Sequence, residues 1–140
     1  MMQDNPNSQF NTFSDSYNRG FYEYANNISG SFFKSIDVDK NILINQADDS
    51  VLKAKFENLD TLIKGQDSLD KKDYYGLVKL TGRILADVVI DIMQSKKPEV
   101  KKSGVNIINA FFDVARKTKD NELLDTAQSI KKNVDAITAK

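Results

Sequence analysis

The chain has 140 residues, 40% of them hydrophobic and 29% charged, with a formal net charge of zero. That length suits one domain with its own core, and a neutral balance provides no global field to draw nucleic acid or anionic membrane. With no cysteine, histidine or tryptophan, there is no thiolate nucleophile, disulfide, zinc–thiolate site or imidazole base.

Any catalysis would have to rest on Asp, Glu, Lys, Tyr, Ser or backbone groups. The charge is uneven. Residues 1–50 carry four more acidic than basic side chains, and residues 96–140 carry four more basic than acidic ones. This polarity would serve a contact between the two halves within one fold, or orient self-association or a partner. The N-terminus, MMQDNPNSQF, has neither the basic start nor the apolar run of a signal peptide. The expected setting is therefore intracellular, cytoplasmic and soluble.

Residues 1–14 are expected to be disordered, since they are polar and contain Pro6. An aromatic series overlaps them: Phe10, Phe13, Tyr17, Phe21, Tyr24, Ile28 and Phe32 recur every three or four residues. The spacing predicts an amphipathic helix from about Asp15 to Phe33. Gly20, Gly30 and several Asn weaken it, each by up to about 1 kcal/mol relative to Ala, so its aromatic face needs a cover. Packing on the core is one way to cover that face. The other is docking on a protein partner or an apolar surface, because aromatics dominate interface energetics.

Residues 35–49 read as a polar connector with a short extended piece, Asn41–Asn45, whose Ile42, Leu43 and Ile44 dip into the core. Asp37, Asp39 and Asn41 fall where a helix–loop–helix calcium loop places its first ligands, and Asp48 falls where it places its last. Ile42 stands where that loop needs glycine for its sharp turn, and Asp48 is shorter than the usual Glu. No metal or other cofactor is therefore expected.

Asp49 or Ser50 caps the next predicted helix, about 50–64, with Leu52, Phe56, Leu59 and Ile63 on one face and Gly65 as its stop. The central helix follows over about 69–96, starting at Leu69 or only after Asp73, since Gly76 weakens its first turns. On a helical wheel Leu77, Thr81, Ile84, Leu85, Val88 and Ile92 share one face. Val78, Leu80 and Val89 widen that face to about half the circumference. Such an arc asks for two or more neighbours, and the small Gly82 and Ala86 at its edge would let another helix come close. Asp87 and Asp91 lie one turn apart on this helix. Arg83 is the expected partner of Asp87 at i,i+4, and an ion pair is preferred to acid–base chemistry.

Pro98 opens a helix over about 98–118, with Glu99 in its first turn and basic residues in its last. Its apolar face is Val100, Gly104, Ile107, Ile108, Phe111 and Ala115. Asp120 or Asn121 caps a last helix, 121–138, whose Leu123, Ala127, Ile130, Val134 and Ile137 form a seam two heptads long. Lys96, Lys97, Lys101 and Lys102 surround Pro98 as a possible phosphate contact. Nothing beside them would read bases, and a solvated bend accounts for them.

The expectation is an all-α fold: an antiparallel bundle of four helices over 50–140, plus the aromatic N-terminal helix and connector over 15–49. The expected function is a non-enzymatic protein–protein interaction module, as an adaptor, inhibitor or assembly subunit that self-associates. Its interaction residues are the aromatic series and the four lysines. Binding to a lipid or other apolar surface through the N-terminal helix ranks second, and nucleic-acid binding through Lys96–Lys102 third.

Overall fold

In the computed structural model, residues 6–70 and 72–138 are described, with side chains from Gly20 onward. Six helices follow one another: α1 (Pro6–Ser35), α2 (Asp37–Gln46), α3 (Ser50–Asp67), α4 (Tyr74–Met93), α5 (Pro98–Thr118) and α6 (Asn121–Thr138). Among the described residues there is no strand, and no helix is long and apolar enough to cross a membrane.

The caps that set these ends are local. The Asp49 carboxylate accepts from the Leu52 N–H at 2.8 Å, Asp73 from Gly76 at 2.9 Å and Asp120 from Leu123 at 3.0 Å. Each satisfies a donor that the first turn of a helix leaves open. Pro98 begins α5, which needs no N–H there. The same helix ends on Lys119 in the left-handed region at φ 54°, its N–H donating to Ala115 O at 3.0 Å. Glycine is the usual residue at such an end.

The expected connector at 35–49 is corrected: Asp37–Gln46 is helix α2, and the extended piece at Asn41–Asn45 does not form. Leu43 is fully buried while Ile42 and Ile44 are partly so, and all three reach the body from a helix. Gly65 does not stop α3, which runs on to Asp67, and α4 ends at Met93. The expectation for residues 1–14 falls on a stretch whose side chains lie outside the described residues. Helix α1 as described begins at Pro6.

Helix α4 packs against α1, α3, α5 and α6. Leu85, Val88, Val89 and Ile92 have no exposure. Most of the wide apolar arc therefore finds its neighbours inside the chain, while Leu80 at its edge stays exposed. Two close approaches lock the packing. A methyl group at Gly82 would stand 2.5 Å from Phe111 Cζ and 3.1 Å from Thr126 Cγ2, and one at Gly104 would overlap the Ile92 Cγ2 methyl. Glycine at these positions lets a ring of α5 press on α4 and a branched side chain of α4 press on α5.

Candidate interaction surface

On α1 the buried stripe is Ala25, Ser29, Phe32, Phe33 and Ile36. Phe32 of the aromatic series belongs to this stripe, whereas Phe21 and Tyr24 stay largely outside it. Ala25 and Ser29, both small, are its fully buried positions in the middle of the helix. The Ser29 hydroxyl is satisfied within the helix by Ala25 O at 2.7 Å. Of the predicted interaction residues, Phe32 is buried and Ile28 half-buried, whereas Phe21 keeps 36% and Tyr24 50% of its surface exposed. Tyr22, outside the periodic series, keeps 42%. The side chains of Phe10, Phe13 and Tyr17 lie outside the described residues.

Phe21 and Tyr22 each meet the Tyr75 ring edge-on, at 5.9 Å between centroids. This arrangement suits the aromatic quadrupole. The Tyr22 hydroxyl donates to Asp73 Oδ1 at 2.6 Å, and the phenol is pushed up to about 12 by that hydrogen bond and then by burial. The Tyr24 hydroxyl donates to Lys117 O at the last turn of α5, at 3.3 Å. Asn26 bridges the start of α4: its amide donates to Lys72 O and its carbonyl accepts from the Tyr75 N–H, both at 3.0 Å.

Beneath this patch lies a polar cluster. The Tyr75 hydroxyl donates to Asp120, and burial followed by that carboxylate raises the phenol's pKa. Lys79 Nζ stands 4.6 Å from the centre of the Tyr75 ring and 3.9 Å from Asp120. Burial alone would raise Asp120. The hydrogen bonds from Tyr75 and the Leu123 N–H, with the Lys79 charge, outweigh it and hold the carboxyl below the usual range. Arg83 pairs with Glu122 at 3.0 Å. The expected Arg83–Asp87 pair is thus corrected: Asp87 pairs with Lys55 of α3 instead. Interhelical partners took both ends of the local pair. Asp91 is exposed and has no partner among the described residues.

The four lysines around Pro98 are all exposed. Lys97 Nζ donates to Gln46 O at 3.0 Å, which ties the end of α2 to the start of α5. Asp37, Asp39 and Asn41 are helical, so they do not form the calcium loop that their spacing resembles. Among the described residues no group of three His, Cys, Asp or Glu side chains could hold a metal.

Two features escaped the sequence reading. Tyr22 and Tyr75 anchor α1, and the DYYG run at the start of α4 was the available sign. Lys40 is 2% exposed and pairs with Asp60 at 2.6 Å and Asp37 at 3.1 Å. Burial would raise the Asp60 carboxyl, but Lys40 and Lys64 together hold it below its ordinary value. No sequence signal distinguishes this lysine from a solvated one. No family model matches the chain, and none of the curated proteins or solved structures compared with it matches.

Proposed function

We propose that this chain is a non-enzymatic protein–protein interaction module, an adaptor, inhibitor or assembly subunit. In this reading α3 to α6 form an antiparallel bundle and α1 presents aromatic side chains beside it. The observation that carries it is the patch Phe21, Tyr22 and Tyr24, which keeps 36–50% of each side chain open within about one turn of α1. Aromatics with an apolar ring and a polar tip recur at the energetic centres of interfaces. Most of the apolar arc of α4 is used inside the chain, with Leu80 left exposed, so the case for self-association rests on this patch more than on α4.

The double substitution Phe21→Ser, Tyr24→Ser tests the reading. The melting temperature should fall by no more than about 5 °C, since the two rings are only partly buried. Light scattering over a hundredfold range of concentration should show the intact chain above monomer mass and the variant as monomer. If the intact chain is already monomeric, pull-downs should recover a partner with it that the variant loses. A collapse in melting temperature would show the face to be core. Loss of liposome flotation alone would favour the lipid-surface reading.

A further inference from the structure

A second surface lies on α5 and α6, and none of Phe21, Tyr22 and Tyr24 lines it. Val105, Ile108 and Phe112 of α5 and Val134 of α6 line a groove of about 350 Å³. Ile108 is buried, and the other three are half-buried. Apolar side chains at i, i+3 and i+7 on one helix, facing a second helix, make the floor that an amphipathic helix uses when it lies in a groove.

The rim supplies the sign of the partner. Arg116 and Lys131 line the groove against a single acid, Asp135. Lys101, exposed, stands one turn before Val105 on the same helix. Arg116 already shares Asp113 with Lys117. Lys101 and Lys131 have no ion pair among the described residues.

The wider charge pattern agrees. Residues 96–140 carry four more basic than acidic groups, and residues 1–50 the reverse. Among the described residues, no ion pair joins an acid of the first stretch to a base of the second. The ion pairs instead run within α2, within α3, within α5, between α2 and α3, between α3 and α4, and between α4 and α6 or its Asp120 cap. Helices α5 and α6 themselves hold six bases against five acids, and Lys101, Lys102, Lys131 and Lys132 among those bases have no ion pair among the described residues. We propose that the α5–α6 groove takes an amphipathic helix of a partner protein, with apolar side chains on the floor and acidic side chains against Lys101, Arg116 and Lys131.

The test uses the full chain and two synthetic helical peptides of about 18 residues, five turns. Both carry one leucine stripe; one has Glu on the flanks and the other Lys. The acidic peptide should bind at least about tenfold more tightly, a difference of about 1.4 kcal/mol. Amide shifts in an NMR titration should centre on Val105, Phe112 and Val134. The charge-reversed variant Arg116→Glu, Lys131→Glu should reverse the preference, and Lys131→Glu alone should reduce it if the pair perturbs folding by circular dichroism. Equal affinity for the two peptides, no binding of either, or shifts centred elsewhere would each overturn the proposal. The Phe21→Ser, Tyr24→Ser variant should bind the acidic peptide as the intact chain does, which separates this surface from the aromatic patch.

Discussion

The α4–α5 contact and the α1–α4 contact hold by different means. Between α4 and α5 each helix offers a glycine to the other's bulk: Gly104 receives Ile92, and Gly82 receives Phe111. Both large side chains are wholly buried. The middle of α1 is held largely at its edges, by ring contacts on Tyr75 and by hydrogen bonds from Tyr22, Tyr24 and Asn26. Close-packed interiors have no slack, so a small change of volume is felt at once. Edge contacts compete with water throughout, and each contributes about 1 kcal/mol. A change at the first contact is felt through packing, and a change at the second through ring contacts and hydrogen bonds.

Three experiments sharpen that contrast. Val88→Asp would place a carboxylate without a partner at a position with no exposure, at a cost of about 4 kcal/mol or more. Chemical denaturation should show the domain largely unfolded or its midpoint far reduced. A variant with a wild-type midpoint would mean that this face of α4 is not core.

Gly104→Val should lose about 2–3 kcal/mol from overlap with the Ile92 methyl. Ile92→Ala should recover part of that loss in the double variant, because it removes the clashing group. Additive losses in the cycle would show that the two positions do not meet.

Asn26→Ala should cost least, about 1–2 kcal/mol, by opening the bridge to Lys72 O and the Tyr75 N–H. Hydrogen exchange should quicken in α1 and at the first turn of α4 while α5 and α6 keep their protection. Uniform loss of protection would show that α1 unfolds only with the rest.

The parts legible in the sequence were those with strong periodicity and explicit ends. The buried face of α4 was readable from Leu77, Leu85, Val88 and Ile92, and α5 was readable from Pro98 and its Val100–Ala115 stripe. Helix α2 was not. In DVDKNILINQ only Leu43 and Lys40 are buried, and a buried lysine looks polar to any pattern of apolar spacing. Its helix is stabilised by packing on α3 and α5, information that ten residues do not carry. On α1 the helical period was legible but the face was not. The aromatic positions drew attention, whereas the fully buried positions in the middle of the helix are Ala25 and Ser29. The interhelical choices of Arg83 and Asp87 were invisible for the same reason, since each prefers a partner remote in sequence.

Lys40 gives the fold a built-in clock. Its ammonium is sealed between Asp37 and Asp60 at the junction of α2 and α3. An amine-reactive label, or trypsin seeking a basic side chain to grip, finds nothing there until α2 lifts from α3. Cleavage after Lys40 needs α2 both lifted and unwound, so its fragments follow the opening of α2. At low protease it reports the equilibrium population of the open form, and at high protease its opening rate.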